Sequence, residues 1–94
     1  MPFILVKQTV KDYTKWKPLF DKHGSTREKS GSKGGRLFRD SQNPNELVVI
    51  MEWDAIDNAK KFVESADLRE IMEKAGVIGK PEVYFLEQIE TFKE

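Results

Sequence analysis

The segment that most constrains the fold is Glu46–Trp53, ELVVIMEW, because a strand built from it is apolar on both faces. Successive side chains of an extended chain point to opposite sides. Leu47, Val49, Met51 and Trp53 therefore share one face, while Val48 and Ile50 share the other between Glu46 and Glu52. The helical pattern in the rest of the 94 residues is enough to cover only one face of a sheet. The second face needs another cover, and for so short a chain the expected cover is a second copy of itself. A domain of this length has a high surface-to-volume ratio, so burying a sheet face between two subunits adds stability it otherwise lacks.

The absence of cysteine excludes a disulfide framework, a thiolate metal site and a cysteine nucleophile. The opening run MPFILVKQTV has no basic region before its apolar stretch and no small-residue cleavage pattern, so no signal peptide is expected. No apolar stretch approaches the length of a bilayer span, and a soluble, cytoplasmic protein without a membrane partner is expected. The formal charge of zero hides an asymmetry. Residues 1–39 carry ten basic and three acidic side chains, whereas residues 40–94 carry six and thirteen. Opposite charges meeting across elements or subunits account for this pattern, and so does a basic rim that attracts a small anionic ligand. A nucleic-acid partner is not expected, since the chain is neutral overall and carries no recognition motif.

Residues 3–10 predict a strand. Asp12 predicts the cap of a helix in which Tyr13, Trp16, Leu19, Phe20 and His23 recur at helical spacing, with Pro18 predicting a kink or a loosened turn. Gly24 predicts its stop, with a brief resumption of helix open to Thr26–Lys29, and the Gly- and Ser-rich stretch GSTREKSGSKGG predicts a mobile connection. RLFRD and ELVVIMEW, joined by SQNPN, predict an antiparallel hairpin. Asp54 or Asp57 predicts the cap of a helix carrying Ile56, Ala59, Phe62 and Val63. After a break at Ser65 and Asp67, a further helix carries Leu68, Ile71, Met72 and Ala75 and stops at Gly76. Pro81 precedes a last strand, EVYFLEQIE.

The order β-α-β-β-α-β, with the second crossover split into two helices, predicts a ferredoxin-like α+β fold in a single domain over residues 1–94. Right-handed crossovers place the helices on one face of a four-stranded antiparallel sheet and leave the other face bare. In the last strand Val83, Phe85 and Ile89 fall in one phase and Tyr84 and Leu86 in the other, so that strand too is apolar on both faces.

Through DYTKWKPLFDKHGSTREKSGSKGGRLFRD, NPNELVVIMEWDAIDNAKKF, LREIMEKAGV and PEVYFLE, the chain resembles antibiotic-biosynthesis-monooxygenase-like and cyclase-like members of the dimeric α+β barrel superfamily. The resemblance implies a homodimer formed through the helix-free sheet faces, with a ligand cavity in each subunit between sheet and helices. Its members include cofactor-free oxygenases, haem-degrading enzymes and proteins without an established activity, so the fold alone does not transfer a function.

His23, the only histidine, is the candidate catalytic residue, since an imidazole titrates near neutral pH. A local hydrogen bond at a helix end is its structural alternative. One histidine without cysteine does not make a zinc site, and no metal is expected. Haem would need only one axial ligand, so that option stays open to His23; against it, the Asn, His and Trp set of the haem-degrading relatives has no clear counterpart here, and no cofactor is expected. Trp16, Trp53 and Tyr84 are the candidate aromatic walls of the cavity, and Arg27 the candidate cation at its mouth; core packing is the alternative for each aromatic. Arg36 and Arg39 fall in opposite phases of their strand, where ion pairs with Glu46 or Glu52 are expected. Gly31, Gly34 and Gly35 lack the strand-to-helix context of a phosphate loop. Two functions stay open: an enzyme acting on a small aromatic or anionic molecule, and a non-catalytic dimeric binding module.

Overall fold

The computed structural model describes residues 1–94. The elements run β1 (Pro2–Val10), α1 (Tyr13–Lys22), α2 (Gly24–Ser30), β2 (Ser32–Arg39), β3 (Glu46–Trp53), α3 (Ile56–Val63), α4 (Ala66–Ala75) and β4 (Val77–Glu87). The strands form one antiparallel sheet in the order β2-β3-β1-β4, the predicted ferredoxin-like α+β arrangement. No helix is long and apolar enough to cross a membrane.

All four helices lie against one face. The alternation read from β3 sets that face: Leu47, Val49, Met51 and Trp53 are buried, and the residues between them are half-buried. On β1 the inward phase is Ile4, Val6, Gln8 and Val10, all buried. The core is divided in two. Ile4, Val6, Val49, Met51, Trp53, Ala59 and Phe62 form one cluster, and Val10, Trp16, Leu47 and Ala75 form the other. Gln8 stands between them on β1.

The opposite face carries no helix. Pairing aligns Arg36, Ile50, Leu5 and Tyr84 in one row across it, with Phe38, Val48, Lys7 and Glu82 on one side and Glu52, Phe3 and Leu86 on the other. Phe38, Tyr84 and Leu86 are each between 41% and 50% exposed in the isolated subunit. Such a contiguous apolar surface is unusual on a monomer.

Asp12 caps α1 as predicted, accepting from the Thr14 amide at 2.9 Å and the Thr14 hydroxyl at 2.6 Å. Pro18 lies inside α1 without ending it. Four expectations need correction. Gly24–Ser30 is a helix and β2 begins at Ser32, so most of the predicted mobile connection is regular structure. The Ser30 hydroxyl donates to Thr26 O within this short helix, while the Arg27 amide donates to His23 O and the Arg27 guanidinium to Phe20 O, which tie it to the end of α1. Gly31, at φ 123°, then stops it in a conformation suited to glycine.

The cap of α3 is Ala55, which offers no side-chain acceptor. Asp54 instead accepts from the Asn58 side-chain Nδ2 at 3.0 Å, and Asp57 lies in the first turn. β4 starts at Val77, five residues before the predicted Glu82, and ends at Glu87, because Val10 and Thr9 pair with Val77 and Ile78. Between Thr9–Ile78 and Lys7–Glu82 the register shifts, so that Gly79, Lys80 and Pro81 stand opposite Gln8 alone. Gly79 at φ 69° and Pro81, which has no amide proton to leave unpaired, accommodate this bulge. Finally, neither Arg36 nor Arg39 pairs with Glu46 or Glu52. Arg36 lies on the helix-free face, and the Arg39 guanidinium stacks 4.9 Å from the Tyr13 ring centroid.

Candidate functional site

Between the two core clusters, under α1 and α4, lies a cavity of about 280 Å³, at the small end of the range for ligand sites. Its floor is the inward phase of β1 and β3, its walls are apolar residues of α1, α3 and α4, and the β4 bulge supplies its edge. A gap here follows from the sequence locally. A polar side chain occupies an inward position of β1, and the opposed strand bulges at the same level, so the two core clusters do not close over it.

Five side chains with polar or charged ends line the cavity: Gln8, His23, Arg27, Arg69 and Lys80. No carboxylate does. Gln8 is 7% exposed and its Oε1 has no hydrogen-bond partner. A buried amide oxygen without a donor costs about 1–3 kcal/mol, which makes Gln8 an unfavourable choice for packing alone.

His23 sits at the junction of α1 and α2, with its Nε2 2.9 Å from Asp67 Oδ2 in the first turn of α4. In the neutral imidazole Nε2–H donates to this carboxylate, which leaves Nδ1 as the basic nitrogen. The His23 side chain is 10% exposed and Asp67 is 68% exposed, so the pair joins the cavity to solvent. Arg27 is held from two sides: its Nη1 donates to Phe20 O at 2.8 Å, and its guanidinium lies 3.8 Å from the Phe20 ring centroid. Burial lowers the pKa of Arg27 from its ordinary value, and the nearby Asp21 opposes that shift. A guanidinium remains charged at any physiological pH. Arg69 and Lys80 make no ion pair with a protein carboxylate within 4.0 Å, so their charge is free to face an anion.

Of the five side chains singled out from the sequence, the fold brings Trp16, His23 and Arg27 to the cavity. Trp16 is 3% exposed and stacks on Phe20 at 4.8 Å. Trp53 and Tyr84 do not line it. Trp53 is fully buried beside Phe62, with ring centroids 5.2 Å apart, and packs with the first core cluster. Tyr84 pairs with Leu5 in the outward phase of β4 and so belongs to the helix-free face. Sequence reasoning missed Gln8, Arg69 and Lys80. The signal for Gln8 was present as one polar residue in phase with Ile4, Val6 and Val10. Lys80 had none, because it depends on the bulge.

The side chains contain no group of three or more His, Asp or Glu arranged to hold a metal ion. No protein-family model matches the chain. No curated protein matches it. Solved structures share its fold over nearly their whole length. SnoaB, a cofactor-independent oxygenase from Streptomyces nogalater, superimposes with a TM-score of 0.78 at 15% identity, over 99% of this chain and 97% of that one. An antibiotic biosynthesis monooxygenase superimposes with a TM-score of 0.72 at 17% identity, over 96% and 100%. A conserved protein from Methanosarcina mazei Go1 does so with 0.72 at 16%, over 93% and 91%. At these identities the likeness establishes the fold, that of the antibiotic-biosynthesis-monooxygenase-like structures, and leaves the chemistry to the site.

Proposed function

We propose that the protein is a cytoplasmic homodimer that binds a small, ring-containing organic anion in the cavity between sheet and helices, and acts on it as a cofactor-independent oxygenase or cyclase-like enzyme. The observation that carries the binding half is the lining itself: fourteen apolar residues, three cationic side chains, a histidine and no carboxylate. Apolar walls take the body of such a molecule, and Arg27, Arg69 and Lys80 favour its charge. The dimer half rests on the apolar helix-free face.

The catalytic half gives His23 one task, to take a proton from an acidic hydroxyl or carbon of the bound molecule. Asp67 would stabilise the imidazolium so formed, and the cationic side chains the organic anion. SnoaB, with the same fold and described as cofactor-independent, supports this reading. The non-catalytic reading draws on the same cavity, with His23 held by Asp67 as part of its wall.

Calorimetric titration with cinnamate and with its neutral isostere cinnamamide tests the binding half. Cinnamate should bind more tightly, and added salt should narrow the difference. Equal affinities would refute an anion-selective cavity. Ligand recovered from protein purified from its host, then incubated with fresh protein under air, tests catalysis: a change in its mass or its chromatographic retention that is lost in His23→Ala supports the enzyme, and a ligand unchanged in both supports the binding module.

A further inference from the structure

Lys80 lines the cavity although the alternation of β4 would turn it away. Val77 pairs with Val10 and Val83 with Val6, both in the inward phase of β1, whereas Ile78 and Glu82 pair with Thr9 and Lys7 in the outward phase. Counted from either side, residue 80 falls with Ile78 and Glu82 on the helix-free face. It stands instead in the lining of the cavity, on the helix side of the sheet. The reversal sits at Gly79, whose φ of 69° breaks the extended chain. A Cβ at Gly79 would meet no heavy atom within 4 Å beyond its chain neighbours, so the glycine answers to backbone conformation and not to lack of space.

The turn also leaves the lysine without a partner. On the helix-free face it would stand beside Glu82, two residues along the same side of the strand. Where it is, no carboxylate lies within 4.0 Å of its ammonium, and the residue is exposed, so an incoming ligand can reach it.

We infer that Lys80 is the specificity-determining cation of the cavity, the group that holds the charged end of the ligand, and that Gly79 is its positioning residue. This rests on the anion-binding reading and narrows it: the ligand's charge lies at the β4 edge of the sheet, with its apolar body running inward beneath the helices. Arg27 contributes charge from a fixed place, because its guanidinium is engaged by the Phe20 carbonyl and ring. Arg69 adds to the field from α4, where regular helix suffices to present it. Only Lys80 reaches the lining through a break in its own element. A lysine offers a compact charge on a flexible stem, which takes a carboxylate, sulfonate or phosphate without the flat two-oxygen match that a guanidinium favours.

Cinnamate and cinnamamide, which differ in that charge, are titrated calorimetrically at low salt into wild type and variants, with thermal melts beside them. Lys80→Met removes the charge and keeps the stem. It should cut the preference for cinnamate about fivefold, the upper end for an ion pair open to solvent, by weakening cinnamate alone. Lys80→Arg should retain the preference. Lys93→Met removes the same charge from the C-terminal tail and should change nothing. Gly79→Val, whose β-branched side chain is ill suited to a positive φ, should lose the preference with Lys80 still in the chain, while Gly79→Asn, which tolerates that backbone, should keep it. Gly79→Ala replaces the valine variant if that one does not fold, with a partial loss expected.

A cinnamate preference that survives in Lys80→Met overturns the role of Lys80 and leaves the anion reading standing. An equal weakening of both probes in Lys80→Met, the pattern of a packing residue, overturns that role too, as does an equal cut in Lys93→Met. Full preference in the valine variant, or in the alanine variant that replaces it, overturns the role of Gly79. A wild type that shows no preference for cinnamate, or binds neither probe, refutes the anion reading and this assignment with it.

Discussion

Leu5 and Ile4 are neighbours on the central strand β1, yet an aspartate should have opposite consequences at the two positions. Ile4 is fully buried in the first core cluster. Ile4→Asp removes its packing, worth about 2–5 kcal/mol, and places a carboxylate among the apolar side chains of that cluster, at several kcal/mol more. A chain of this length has about 5–14 kcal/mol of stability in total, so the subunit should not fold. Leu5 is half-buried and lies at the centre of the helix-free face, between Ile50 and Tyr84. In an isolated subunit its carboxylate would reach water, and the loss should be about 1 kcal/mol.

In a dimer formed through that face, both copies carry the new charge into the interface. At about 3 kcal/mol per unpaired carboxylate the assembly loses about 6 kcal/mol, more than ten-thousandfold in dissociation constant. Leu5 is a sharper probe than Ile50, because Ile50 has Arg36 directly across from it and an aspartate there could form a cross-strand ion pair. Sedimentation velocity at micromolar concentration, beside circular dichroism melts, distinguishes the outcomes: a dimeric wild type, a folded monomer for Leu5→Asp and an unfolded chain for Ile4→Asp. A Leu5→Asp variant that still sediments as a dimer, or a monomeric wild type, would refute the assignment of the interface.

His23→Ala and Arg27→Ala should each weaken binding of cinnamate or abolish turnover of the host ligand while lowering stability by no more than about 1 kcal/mol, since Asp67 is exposed and the Arg27 contacts are only half-buried; calorimetry and thermal melts check both. Gly35→Ala should disrupt the β2–β3 pairing, because the added Cβ would collide with the Ile50 carbonyl and with Met51 Cα, and loss of amide-exchange protection from β2 would report it. Asp12 carries a lowered pKa, first through its side-chain hydrogen bond from Thr14 and then through the Thr14 amide. Its cap therefore stabilises the fold above the ordinary aspartate pKa near 4, and that contribution disappears as pH falls through the lower folded-state value. Asp12→Ala should melt below wild type at neutral pH and converge with it in strong acid.

The sheet was legible because Leu47–Met51 is an unbroken apolar run between turn signals, too short for a helix, and the two-residue period of any strand then fixes which side chains share a face. Capping by Asp12 was legible for a local reason, since its side chain reaches the amide two residues on, whereas Ser65, read only as a break, caps α4 through the Leu68 amide. What failed depended on contacts distant in sequence. Composition marks Gly24–Gly35 as a loop, but the Arg27 guanidinium seven residues beyond Phe20 helps hold its first half in a helix. Tyr84 shares the aromatic character of a cavity wall, but its pairing with Leu5 sends it to the other face. Gln8 was hidden by the habit of reading a strand for its apolar residues, although its inward phase follows from the same alternation that located the core.

The placement of irregularity explains how so small a domain could keep a cavity and an unpaired amide. A sealed void of 280 Å³ would cost about 7 kcal/mol, as much as the whole stability of many domains this size. Two features lower that burden. The cavity is not sealed and two of its lining residues, Arg69 and Lys80, are exposed, so water or a ligand can occupy it, and a ligand that binds only the folded state adds its binding energy to the fold. The central pair β1–β3 stays in register through seven consecutive residues, Phe3 to Thr9, while the register shifts fall on the two edge strands, at 32–34 in β2 and between Ile78 and Glu82 in β4. The regular pair presents Leu5, Val48 and Ile50 to the proposed partner, and the β4 irregularity shapes the cavity on the other side of the same sheet. Association can then strengthen the subunit without filling the site, and the residues lining the cavity can change without altering the surface through which two copies would meet.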